Sequence, residues 1–192
     1  LRSLGAEIKY MGKEGVLPLQ IKGKKIEGGE VTIDTSLSSQ FLSALLLIGA
    51  TLKKGIRIKT TGKYSSRPYI DMTIQVLKEA GLEVYEYESE FYVPGQTFKA
   101  KSLEPESDWS SASYLYGLCA LSEDGNIKLP GLNLPSTQGD AVLSTWMENY
   151  GVRTYITGKK GVDVSRFGVL NLSGTFNFLS QPDLAPAIIV LT

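Results

Sequence analysis

The chain has 192 residues, 42% of them apolar and 21% charged, which is the balance of one large or two small folded domains and excludes a disordered chain. Lys plus Arg and Asp plus Glu each number 20, so no global basic excess points to nucleic acid or to an anionic membrane. Histidine is absent, which removes Ser-His-Asp and Cys-His nucleophile arrangements and every His-ligated metal site from these residues, and leaves proton transfer to Asp, Glu, Lys or Tyr.

In chain order, Leu1-Arg2-Ser3-Leu4-Gly5 reads as a helix tail stopped by a glycine at C′, followed by a strand at Ile8-Lys9-Tyr10 and a hairpin turn at Lys13-Glu14-Gly15. The basic tracts at 22–25, 53–54 and 159–160 fall at turns and read as solvated surface. Residues 41–52 form the longest apolar run, too short for the roughly 20 residues that span a bilayer, and predict a buried core helix that is apolar almost all round. Residues 71–79 keep a polar face and predict a partly solvated helix, whose tail stops at Gly81. Tyr85, Tyr87, Phe91 and Tyr92 flank Ser89-Glu90 and predict a hairpin with cross-strand ring packing.

A composition shift at 99–107 places a crossover between domains, giving 1–98 as part of a first domain and 99–192 as part of a second. Residues 114–121 predict a second apolar helix, with Cys119 as a small buried hydrophobe that has no partner for an internal disulfide. A third glycine-stopped tail, Trp146 with Gly151, leads into a hairpin turning at Gly158-Lys159-Lys160-Gly161. No charged segment followed by an apolar stretch and a cleavage site opens the chain, so the expected location is cytoplasmic.

The pattern repeats. Residues 36–47 align without gaps on 108–119, an offset of 72, and the same step reaches a third polar start and apolar run at 181–191. All three predict capped helices. One repeat reads strand, helix, strand, helix, strand, strand, so the expected fold is α/β, with repeated β-α-β-α-β-β units, apolar helices inside and sheets outside them. The first and last residues both read as lying within helices, as expected of an internal piece of a longer protein.

Three places carry chemistry. Ser38-Ser39-Gln40 opens a buried helix, where hydroxyls and unpaired N–H groups at the positive dipole end suit an anion; the alternative is that Ser36, Ser38 or Ser39 is only an N-cap. Ser66-Arg67-Pro68-Tyr69 opens another helix 28 residues later, with Pro68 suited to the first helical position. The matching step in the second copy runs from Ser110 to Gln138 and carries Asp108 and Asp140 in place of a cation, so only the first copy reads as an anion site. Asp183, at the register of Ser39 and Ser111, is either a first-turn acid behind Pro182 or a general base on a substrate hydroxyl.

Five ordered motifs, at 38–46 (Ser-Ser-Gln-Phe-Leu-x-Ala-Leu-Leu), 66–71 (Ser-Arg-Pro-Tyr-Ile-Asp), 108–114 (Asp-x-Ser-Ser-Ala-Ser-Tyr), 138–140 (Gln-Gly-Asp) and 182–183 (Pro-Asp), resemble the enolpyruvylshikimate phosphate synthase family. The resemblance covers essentially the whole chain and implies an inside-out α/β barrel of which this chain is a part. It implies transfer of the enolpyruvyl group of phosphoenolpyruvate to the 5-hydroxyl of shikimate 3-phosphate, with release of phosphate and with no cofactor or metal. Carried over residue by residue, it implies that Ser38, Ser39 and Ser66 hold the substrate phosphate. Gln40 would contact phosphoenolpyruvate, Tyr69 would line the ring, and Asp183 would take the proton of the attacking hydroxyl; Arg67 stands where the family has Lys or Arg.

The family's cationic residues for the enolpyruvyl group have no match here, so the chain alone is expected to bind shikimate 3-phosphate weakly and not to turn over. The parent is expected to be a monomer and the piece to self-associate through helices left uncovered. The alternatives are the sister transferase acting on UDP-N-acetylglucosamine, whose loop cysteine has no match because Cys119 lies in an apolar helix, and a non-catalytic phosphosugar-binding module, against which Asp183 argues.

Overall fold

The structure, a computed structural model, describes residues 1–99, 101–158, 160–169 and 175–191. Ala100 of the expected crossover and Lys159 of the expected hairpin turn lie outside them. The chain divides into two compact units, Leu1–Ser65 with Thr73–Ser102, and Ser66–Met72 with Leu103–Thr192.

The first unit opens with a 3₁₀ turn, Arg2–Leu4, closed by Gly5 at φ 95°. Strands β1 (Glu7–Tyr10) and β2 (Leu19–Lys22) then pair antiparallel. Next come β3 (Gly29–Asp34), α1 (Ser39–Gly49), β4 (Ile56–Thr61), α2 (Arg67–Glu79), β5 (Tyr85–Tyr87) and β6 (Glu90–Val93), in the expected order. The helix between β3 and β4 lets them run parallel, and the short loop between β5 and β6 makes them antiparallel, in the sheet order β3-β4-β6-β5. The pleat decides burial: Ile56, Ile58 and Thr60 of β4 point inward, while Arg57 and Lys59 alternate outward and pair with Glu90 and Glu30. Tyr85 and Tyr92 meet in register, their rings stacked 6.2 Å apart, as the hairpin pattern predicts.

The second unit contains α3 (Trp109–Leu121), β7 (Asn126–Pro130), α4 (Leu143–Trp146) between 3₁₀ turns Gly139–Val142 and Met147–Tyr150, β8 (Val152–Ile156), β9 (Gly161–Arg166), a 3₁₀ turn Pro182–Leu184 and α5 (Ala185–Ile189). Its sheet, β7-β9-β8, repeats the antiparallel β4-β6-β5 pairing of the first unit. Among the described residues of 94–108 there is no strand, so this copy lacks a counterpart of β3. The helix that corresponds to α2 is also broken into short pieces. Ser144 Oγ donates to the Ala141 carbonyl at 2.7 Å, and such local side-chain bonds compete with the helical ladder. Trp109, Tyr116, Cys119, Tyr150, Val162 and Val164 form the core; the burial of Cys119 agrees with its apolar setting in the sequence.

Two expectations are modified. Both long apolar helices bury one face only: Leu42, Leu45 and Leu46 of α1 are enclosed, whereas Phe41 and Leu47 are more than half exposed, and Tyr114, Leu118 and Leu121 of α3 are exposed likewise. A helix that is apolar all round needs partners on every side, and here its sheet lies on one. The exposed face of α1 forms, with Val31, Ile33 and Leu37, an open apolar depression of about 450 Å³. The third apolar run also starts without a side-chain cap, entering through the 3₁₀ turn with Pro182 at its head, where a missing N–H needs no partner. Among the described residues no helix is long and apolar enough to cross a membrane.

Candidate functional site

The start of α1 belongs to the first unit. Ser38, extended at φ −172°, is its N-cap, and its Oγ accepts from the Gln40 N–H at 3.2 Å. The cap reading and the anion reading are compatible, because that bond uses a lone pair of the hydroxyl and leaves its proton to donate. Ser39 is buried and Gln40 exposed. Ser36, two residues before the cap, gives both its N–H and its hydroxyl to Asp34, at 2.9 and 2.6 Å, and these donors hold the Asp34 carboxyl below its ordinary range.

The start of α2 belongs to the second unit. Ser66 is buried and takes φ 55°, the left-handed region that residues with a Cβ rarely occupy. Its N–H donates to the Leu179 carbonyl at 3.1 Å, and its own carbonyl accepts from Tyr69 N–H at 3.1 Å. Arg67, not Pro68, is the first helical residue, and Pro68 follows it. The Arg67 guanidinium lies against Asp71 one turn on, with Nη2 at 2.6 Å and Nε at 2.8 Å from Oδ1. The cation singled out in the sequence is therefore shared with a carboxylate.

Tyr69 and Asp183, 114 residues apart, are brought together: the Tyr69 hydroxyl lies 3.2 Å from Asp183 Oδ2. A third residue joins them. Asp140, only 2% exposed, sits 3.0 and 3.2 Å from the same hydroxyl and also accepts from Ser110 Oγ. Sequence reasoning read Asp140 as a helix-dipole acid and missed it here; its place in the Gln-Gly-Asp motif was the available signal. Burial raises the Asp140 carboxyl above its ordinary range, the Ser110 and Tyr69 hydroxyls pull it back, and the Asp183 and Asp108 carboxylates push it up again. Burial and the same two carboxylates, Asp140 before Asp183, also raise the Tyr69 phenol well above its ordinary value.

Over the window above about pH 4, where the unfolded carboxyl has lost its proton, the folded state still holds it, so Asp140 makes stability fall as pH rises. Asp140→Asn is expected to be as stable as the native chain below about pH 4 and progressively more stable than it toward neutral pH. Urea unfolding at a series of pH values checks this; a variant that loses stability at neutral pH would count against it.

In the second copy the donors at the start of α3 are already engaged. Asp108 accepts from Ser110 N–H at 2.9 Å, and Gln138 Oε1 accepts from Trp109 N–H at 2.9 Å while its amide donates to the Ser107 carbonyl at 2.8 Å. Gln138 thus ties the start of α3 to the 3₁₀ turn Gly139–Val142, with both ends of its side-chain amide engaged. Among the described residues no group of three or more His, Cys, Asp or Glu side chains is placed to hold a metal ion.

Comparison with known proteins gives a consistent result. The family model for EPSP synthase (3-phosphoshikimate 1-carboxyvinyltransferase) matches residues 1–192. A 3-phosphoshikimate 1-carboxyvinyltransferase of Bacteroides fragilis (strain YCH46) is 39% identical over 191 residues, which is 99% of this chain and 46% of that protein. One from Sulfurovum sp. (strain NBC37-1) is 38% identical, over 98% of this chain and 44% of that protein. The chain therefore spans about half the length of the curated relatives it matches. Among solved structures, EPSP synthase from Acinetobacter baumannii superposes with a TM-score of 0.62 at 21% identity, covering 100% of this chain and 44% of that one, a likeness of fold.

Proposed function

The chain belongs to the EPSP synthase family, and from that premise we propose that it supplies part of the substrate-binding and proton-transfer machinery of a 3-phosphoshikimate 1-carboxyvinyltransferase. The observation that carries the proposal is the Asp183 carboxylate beside the Tyr69 hydroxyl, in one unit with Ser66. In this reading residues 1–98 belong to a first domain, which takes shikimate 3-phosphate, and 99–192 to a second. Ser38, Ser39 and Ser66 donate to the substrate phosphate, and Arg67 supports them with positive charge. Tyr69 lines the ring, and Gln40 contacts phosphoenolpyruvate.

The 5-hydroxyl oxygen of shikimate 3-phosphate bonds to the enol carbon while its proton passes to Asp183, which must lie within hydrogen-bond reach of it. The methylene carbon takes up a proton and becomes a methyl group, and departure of phosphate from the tetrahedral carbon with loss of one methyl proton re-forms the double bond. Two anionic substrates held by oriented donors account for the hydroxyls at helix starts, and a hydroxyl nucleophile accounts for the carboxylate.

Calorimetric titration of the chain with shikimate 3-phosphate tests the reading. Saturable binding is expected, weakened about tenfold by Ser38→Ala and by Ser66→Ala, since each removes a hydrogen bond to a charged group. A folded chain that does not bind, or whose binding both variants leave untouched, sinks the assignment of the phosphate ligands.

A further inference from the structure

The Tyr69 hydroxyl lies between two carboxylates and has one proton to give. Asp140 and Asp183 differ in one respect that decides where it goes: Asp140 is buried, whereas Asp183 is exposed. Water can solvate an exposed carboxylate but not a buried one, so the donor is worth most on the buried side. The geometry agrees, since Asp140 meets the phenol with both oxygens, at 3.0 and 3.2 Å, and Asp183 with one, at 3.2 Å.

We propose that Asp140 is a positioning residue for Asp183: it takes the single phenol proton of Tyr69, and so leaves Asp183 Oδ2 open to accept from a substrate hydroxyl. Without Asp140 the phenol turns its proton to Asp183 and competes with the substrate there. The Ser110 hydroxyl donates to Asp140 Oδ2, a second bond that helps to fix the carboxylate beside Tyr69. Arg67 and Asp71, on the helix that carries Tyr69, pair with each other, and Asp108, whose charge acts on Asp140, caps α3. The inference rests on the proposed role of Asp183 as the base.

Two measurements test it. In the first, which needs no ligand, the chain is labelled with an NMR-active carbon at tyrosine Cζ, and the Tyr69 signal, assigned by its loss in Tyr69→Phe, is followed with pH in the native chain, Asp140→Asn and Asp183→Asn. The native Tyr69 is expected to remain protonated well above the ordinary tyrosine value of about 10. Asp140→Asn should bring its ionisation down further than Asp183→Asn does. An equal or larger change in Asp183→Asn overturns the proposal, because the proton would then face Asp183.

The second measurement is affinity for shikimate 3-phosphate. Asp140→Asn should weaken binding by about tenfold when Tyr69 is present, and leave it unchanged in the Tyr69→Phe background, where no phenol proton can be misdirected. A loss of the same size in both backgrounds means that Asp140 acts only through the fold and overturns the proposal. A folded chain that binds no shikimate 3-phosphate refutes the functional reading instead, while the phenol titration still decides where the proton lies.

Discussion

Trp109→Ala is expected to remove about 3–5 kcal/mol from the stability of the second unit. Trp109 heads the fully buried side chains by volume, at 0% exposure, and packs against Tyr116 with ring centroids 6.2 Å apart. It is also the first residue of α3, where its backbone N–H is fastened to Gln138. Truncation therefore opens a cavity at the point where the helix is tied to the following turn, and a cavity between two anchored elements collapses poorly. A unit of this size has a total stability of roughly 5–15 kcal/mol, so the loss brings it close to unfolding in water. The remaining Trp146, in the same unit, reports the transition by fluorescence. With a urea slope of about 1–3 kcal/mol/M the midpoint should fall by at least 1 M; a shift of a few tenths of a molar would show that the core closes over the gap.

Gly139→Ala should be the most damaging small change at the candidate site. A Cβ at Gly139 would clash with Cβ of Pro68, and its next contact is Cγ of the same ring, at 3.0 Å. A proline ring at a helix start has no rotamer to move into, so the start of α2 must shift as a body. Overpacking of this kind costs about 1–3 kcal/mol. The functional loss should exceed the structural one, because Tyr69 follows Pro68 directly and Asp140 follows Gly139. A displacement of an ångström would separate the phenol from both carboxylates, and affinity for shikimate 3-phosphate should fall by more than about tenfold.

Gly117→Ala is the matched control. Gly117 lies inside α3, and a Cβ placed there would meet nothing within 4 Å, so the same substitution should stabilise by up to about 1 kcal/mol through helix propensity. Thermal unfolding and calorimetry of the two variants together check the prediction. Equal behaviour of the pair would mean that the Pro68 contact does not constrain the site.

The stability expected from Asp140→Asn runs the other way from its effect on binding. A buried acid whose ionisation weakens the fold, and whose neighbours are a phenol and a second carboxylate, is the pattern of a group kept for chemistry and not for stability. That contrast makes the variant informative: gain of stability and loss of affinity in one substitution separate the two roles.

Amino-acid order alone determined a great deal here. The glycine-stopped tails appear at Gly5, Gly81 and Gly151 with positive φ, and the β-α-β-α-β-β order of the first repeat reads directly from alternation, apolar runs and turn residues. A serine cap at 36, 38 or 39 was legible because capping is decided within a few residues, and the structure selects Ser38. These signals are short-range, and neighbours along the chain settle them. Tertiary structure alone decided the one-sided exposure of α1 and α3, because what covers a helix depends on elements remote in sequence. It also decided the left-handed backbone of Ser66 and the choice of Asp71 as partner for Arg67. Most of all it decided Asp140: nothing in Gln-Gly-Asp states that the acid is buried, or that the hydroxyl of a tyrosine 71 residues earlier lies within 3.2 Å of both that acid and Asp183. Burial sets the cost of a charge, and burial is a property of the packed unit, not of the motif.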